Sequence, residues 1–213
     1  MRRLIFEKKI MGINALLIFA SLTAVVALLA YFGGELLNLS NIGFEVIYPY
    51  MTTIAVGEWG KTRSDTNFDI IAAQSKSLFE WVVIRFWAVF LTGSLFAFIG
   101  MVIVFLIRRE IAICEMEILY FPPAFFLSTL CAFFGISLSR EHTATLITGI
   151  YWILSMLARS LLRIPGVEYV YLFIRFAGDA NDIWLMNKIA LTLLGLGFWI
   201  VIYLLCRKRV FIE

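Results

Sequence analysis

The chain reads as an all-α integral membrane protein with six transmembrane helices, and three observations predict it. Hydrophobic residues make up 62% of the 213 and charged residues 15%, so little polar surface is left to cover a water-soluble globule. Six apolar runs reach, or nearly reach, the roughly 20 residues a helix needs to cross a bilayer. No hydrophilic block approaches the roughly 100 residues of a free-standing catalytic domain. A soluble enzyme is therefore excluded, and residues 1–213 are expected to form a single transmembrane domain.

The first element is the basic N-terminal tail. Met1, Leu4, Ile5 and Met11 fall on one side of a helical wheel, Arg2, Arg3 and Lys9 on another, the pattern of an interfacial helix held by apolar insertion and anionic headgroups. The apolar run behind it is too long for a cleaved signal sequence and lacks a small-x-small cleavage site. It is expected to stay as the first span, about 13–32. The second span, about 39–56, is the weakest, because it holds Glu45 and Pro49. It is expected to be broken or tilted, its freed backbone groups satisfied by neighbouring helices.

Between the second and third spans lies a polar link with helical periodicity. Phe68, Ile71, Ala72, Leu78, Phe79 and Val82 recur near a 3.6-residue period, while Asp69, Lys76 and Glu80 lie elsewhere on the wheel. Thr66 or Asn67 can cap the start, and Asp69 suits the positive end of the dipole. The spacing predicts an amphipathic surface helix over about 67–80. Two readings of it stand, a membrane-surface linker and a helix gripped by a cytoplasmic partner. The remaining spans are expected at about 82–107, 118–138, 144–162 and 189–206, with an insert at 164–187 before the last.

An even number of spans puts both termini on one side. Of the 18 Lys and Arg residues, twelve then share the side of the termini, among them Lys61, Arg85 and Arg140. Six, including Arg108, Arg109, Arg175 and Lys188, fall on the other. The link 33–45 has none. This bias places both termini in the cytoplasm. The net charge of +3 is dispersed over segment ends, which argues against a nucleic-acid partner.

The order of these parts resembles the membrane subunit of an ABC-2-type exporter. The residues that carry the likeness are Glu58, Lys61-Thr62, Phe68-Asp69-Ile70-Ile71-Ala72-Ala73, Ser77 and Arg85, with Gly135-Ile-Ser-Leu-Ser-Arg140 later. Ser75 departs from the proline common at that point. The resemblance implies a permease in the bacterial cytoplasmic membrane, working as a homo- or heterodimer with a separate ABC ATPase that binds the ATP. No cofactor is expected on this chain. It also implies that Phe68, Ile71, Ala72, Leu78 and Phe79 form the ATPase-coupling helix, and that 164–187 dips back into the outer leaflet as two short helices. A hydrophobic or amphipathic cargo such as a peptide, antibiotic or lipid-like compound follows from the aromatic-rich spans. Phe96, Trp152 and Trp199 are the candidate path residues, with helix packing as their competing role. A membrane-embedded accessory or immunity protein that binds without transporting fits the same composition.

Other motifs point away from chemistry on this chain. Ala55-Val-Gly-Glu-Trp-Gly60-Lys61-Thr62 imitates a phosphate-binding loop but follows a membrane span rather than a strand. Cys114, Cys131 and Cys206 are odd in number and widely spaced, which fits neither a disulfide framework nor a metal site. His142 is the only histidine and sits in a polar turn. No catalytic residue is expected. Glu45, Arg85 and Arg159 lie near span ends and are expected to snorkel to the interface rather than face a polar path. Gly93, Gly100, Gly149, Gly195 and Gly197 permit close helix approach.

Overall fold

The structure, a computed structural model, describes residues 16–28, 30–31, 42–61, 65, 78–109, 112–138, 140, 142–157, 160, 162, 164, 166–176 and 183–207. Among them no strand occurs. The elements are α1 (Leu16–Leu28), a π-helical turn (Ile42–Ile47) that runs directly into α2 (Tyr48–Trp59), α3 (Leu78–Arg108), α4 (Ile113–Ser137), α5 (Thr143–Leu157) and α6 (Ile183–Arg207). A 3₁₀ turn, Val167–Tyr169, precedes α6. Helices α3, α4 and α6 are long and apolar enough to cross a membrane, while α1 and α5 are apolar but shorter. Three long apolar helices suggest a membrane-embedded protein.

The centre of the bundle is α4. Its apolar stretch is 72% buried, against 33% for α3 and 28% for α6, so the latter two lie at the periphery and α4 lies inside. Helices α2, α3, α5 and α6 all pack on α4. Pro122 and Pro123 sit within α4 and are buried. Each removes a backbone donor, and the helix persists because neighbours enclose it on every side. Helix contacts are close where glycine allows it. A Cβ at Gly195 would stand 2.7 Å from Phe125 Cδ1, and one at Gly93 would stand 2.9 Å from Thr52 Oγ1.

Several predicted boundaries move. Pro49 does not end the second span: it lies inside a continuous helical run, Ile42–Trp59, just past the change from π to α register, and the donor it removes belongs to that irregular stretch. The irregularity lies just upstream, in the π turn. Helices α4 and α6 begin at Ile113 and Ile183, ahead of the predicted 118 and 189, because the polar residues there find partners inside the bundle. Within the fifth predicted span the described α-helix covers Thr143–Leu157, and Ser160 and Leu162 have 3₁₀ geometry. Leu78 and Phe79, read as the end of the surface helix, lie in α3, which continues unbroken to Arg108; residues 67–77 of that predicted helix lie outside the described residues. The insert shows no pair of short helices among its described residues. It has the single 3₁₀ turn and then a compact apolar turn.

Two apolar clusters fill the bundle. The larger joins α1–α4 through Phe19, Tyr48, Phe86, Phe90, Met101, Tyr120 and Phe125, and includes Ile202 of α6. The smaller packs Val46, Phe126, Leu127 and Leu191 against Tyr171, Leu172, Phe173 and Ile174.

Candidate functional site

Polar groups concentrate at the two ends of α2, about 20 Å apart at 1.5 Å per residue. At the first end Glu45 stands in the π turn with no exposed surface. Lys188, 2% exposed in the second turn of α6, places Nζ 2.6 Å from Glu45 Oε1. The carboxylate also accepts two consecutive main-chain N–H groups, Arg175 at 3.2 Å and Phe176 at 2.6 Å. Lys188 further donates to the Leu172 carbonyl at 3.4 Å. One acid therefore holds α6 and the turn Leu172–Phe176 together.

The turn is seated by its own composition. Tyr171, Leu172, Phe173 and Ile174 are all buried, the middle two completely. Asn187 Nδ2 donates to the carbonyls of Glu168 and Tyr171, each at 2.7 Å, while Asn187 Oδ1 is buried without a partner. Tyr151 donates to the Val170 carbonyl at 3.2 Å. Arg175 pairs with Glu115 at 3.2 Å and lies 5.5 Å from the Trp184 ring.

At the other end Arg85, 4% exposed on α3, reaches Asp65 Oδ2 at 2.8 Å and also donates to the Lys61 carbonyl. Its guanidinium lies 4.5 Å from the Trp81 ring. The polar link after α2 is thus fastened to α3 by one buried cation. Beside it His142 Nδ1 meets Glu58 Oε1 at 2.9 Å, and Thr145 donates to the same oxygen at 3.1 Å. His142 has a left-handed backbone, φ 60°, which turns the chain into α5. A cleft of about 20 Å³ lies between Gly57, Lys61, Cys131, Gly135, Arg140 and Thr145. That is room for about one water.

Between the ends, hydroxyls pair across the helices. Tyr48 donates to Thr23 Oγ1 at 2.9 Å. Tyr120 shares hydrogen bonds with Thr52 and with Ser94, both at 3.1 Å, and Thr53 with Ser128 at 3.4 Å. These bonds tie α1 to α2, and α2 and α3 to α4. Among the described residues no three His, Cys, Asp or Glu side chains gather to hold a metal.

The sequence-predicted residues scatter. Phe68, Ile71, Ala72 and Arg159 lie outside the described residues. Leu78 and Phe79 pack against the large core cluster, and Phe79 meets Trp199 and Tyr203 edge-on at 6.0 and 5.1 Å. Phe96 stacks on Phe19 at 5.7 Å. Trp152 stacks on Tyr50 at 4.4 Å and donates to the Val46 carbonyl at 3.0 Å. Trp199 meets Phe86 edge-on at 4.9 Å, its Nε1 buried without a partner. Each of these aromatics makes helix-packing contacts. Ala55–Trp59, the imitation phosphate loop, is the end of α2.

Glu45 and Arg85 correct an expectation. Neither snorkels: both are buried, because each has partners that replace water. Lys188, Arg175 and Asp65 are the residues sequence reasoning missed. The available signal was that Glu45 and Lys188 interrupt apolar runs at ends which the charge bias assigns to one side. No known protein family, curated protein or solved structure matches this chain.

Proposed function

We propose that the chain is the permease subunit of an ATP-driven ABC exporter of the ABC-2 type. It crosses the bacterial cytoplasmic membrane six times, with both termini inside, and works as a dimer with a separate ATPase chain. The observation that carries this reading is the fastening at Arg85. The resemblance assigns the polar link after α2 to the ATPase, and the described parts of that link, Lys61 and Asp65, are held by a buried side chain of α3. A push on the link therefore reaches a helix 31 residues long as a rigid-body displacement. The cargo is a hydrophobic or amphipathic molecule, in keeping with spans rich in phenylalanine and tryptophan.

The test is affinity purification of the full chain from its native membrane, with ATP hydrolysis measured on the product. Co-purification of an ABC ATPase is expected. Replacing Phe68 and Ile71 together by aspartate is expected to cut its recovery at least about tenfold, since each lost apolar contact is worth roughly 1.5–3 kcal/mol. Phe79 is left intact because it packs on Trp199 and Tyr203. A wild-type chain that brings down no ATPase overturns the reading.

A further inference from the structure

We propose that Tyr171–Phe176 is a plug seated in one end of the bundle and that Glu45 is the latch that holds it. The inference starts from how the plug is attached. Its four leading residues are buried as deeply as any in the core, yet the segment is a turn rather than a helix or strand. It is therefore held by its surroundings as well as by turn hydrogen bonds, without the repeating ladder of a helix or strand. Among the described residues its polar ties to the helices are the ion pair of Arg175 with Glu115 of α4 and bonds from three further side chains. Glu45 accepts Arg175 N and Phe176 N, Lys188 reaches the Leu172 carbonyl, and Asn187 reaches the Tyr171 carbonyl. Glu45 also binds Lys188, so two of the three act through one carboxylate.

The latch stands on an element suited to moving. Six residues, Ile42–Ile47, are π-helical and pass directly into α2. A π turn holds one residue more than an α-helical register needs and recurs at functional sites. Absorbing that residue into α-helical register rotates what lies upstream by about 100°. Glu45 would then swing away from Lys188 and from both amides together. A buried ammonium stripped of its acid is strongly disfavoured, so Lys188 must meet water as the latch opens. Opening is therefore concerted: the plug leaves as water enters. Val46, next to Glu45, packs in the same cluster as Leu172 and Phe173 and couples the rotation to the plug's apolar side.

The plug as the outer gate of an export path rests on the permease reading; the latch itself does not. Hydrogen exchange on the full chain in lipid nanodiscs tests the latch without any transport. In Glu45→Gln, exchange at 171–176 is expected to rise at least about tenfold, because two amides lose a charged acceptor, while α3 and α4 keep wild-type protection. Glu45→Asp retains the charge but shortens the reach, so a smaller rise at the same amides is expected. Unchanged exchange at 171–176 in both variants overturns the proposal. So does loss of protection in α4 together with the plug in both variants, since the plug is then inseparable from the core. An intact latch in a chain that binds no ATPase would sink the export reading and leave the latch standing.

Discussion

The two ends of α2 solve the same problem in opposite ways. At Glu45 the charges are sealed: acid and base are 0% and 2% exposed, and the acid's remaining acceptor capacity goes to backbone amides. At Glu58 the pair with His142 is open, 28% and 55% exposed. Arg85 is intermediate, buried itself but paired with an aspartate 17% exposed. Removing one partner of a sealed pair strands the other without water. Removing one partner of an open pair returns the other to solvent. The first end should therefore be rigid until it opens as a unit, and the second should adjust in small steps.

The sharpest break is at Lys188. Lys188→Met keeps length and apolar stem but leaves the Glu45 carboxylate buried beside two amides. Loss of one partner of a buried pair costs about 3–5 kcal/mol, to be read as a drop in unfolding free energy in a denaturing-detergent titration. Adding Glu45→Gln to the same chain removes the stranded charge, so the double variant is expected to recover most of that loss. If the single variant costs no more than a surface substitution, the contrast between the ends is wrong.

Why one end was legible and the other was not follows from sequence distance. Helix identity came from local apolar runs, and α3, α4 and α6 appear near where hydropathy put them. Arg85 was readable in principle, since it shares a helix face with Val82, Phe86 and Val89, all buried. Arg85 stays on that face because Asp65 and the Lys61 carbonyl take the place of water. Glu45 and Lys188 are 143 residues apart, and no local pattern pairs them. The plug was hidden for a related reason: an apolar run as short as Tyr171–Ile174 has no period of its own, so only the surrounding helices decide whether it is buried.

The intermediate case sharpens the comparison. Arg85→Met removes its bonds to Asp65 and to the Lys61 carbonyl, but Asp65 already touches solvent and can rehydrate. The expected loss is that of a charged hydrogen bond, about 1.5–3 kcal/mol, and it should be local to the link. Trypsin cleavage after Lys61 in inside-out vesicles is expected to accelerate about tenfold, the rate equivalent of roughly 1.4 kcal/mol. Protection of α4 should not change. Acceleration equal to that of a globally unfolded chain would mean that Arg85 supports the bundle rather than the link.

The smallest effect belongs to Glu58 and His142, and it carries the most specific signature. The pair is open to solvent, so its attraction is divided by a high dielectric and offset by the entropy of holding two side chains in register. Glu58→Gln is expected to cost about 1 kcal/mol or less. Its residual worth has two sources: the contact to His142, and the hydrogen bond from Thr145, which positions the start of α5. At a pH where His142 is protonated the contact is an ion pair, and only that share is screened by salt. Raising ionic strength from 0.01 M to 1 M shortens the screening length from about 30 Å to about 3 Å. The difference between wild type and Glu58→Gln should shrink over that range, while the cost of Lys188→Met should hold, because ions do not enter a sealed pair. Equal salt sensitivity at both ends would show that water reaches Glu45, and the distinction between a sealed end and an open one would fail.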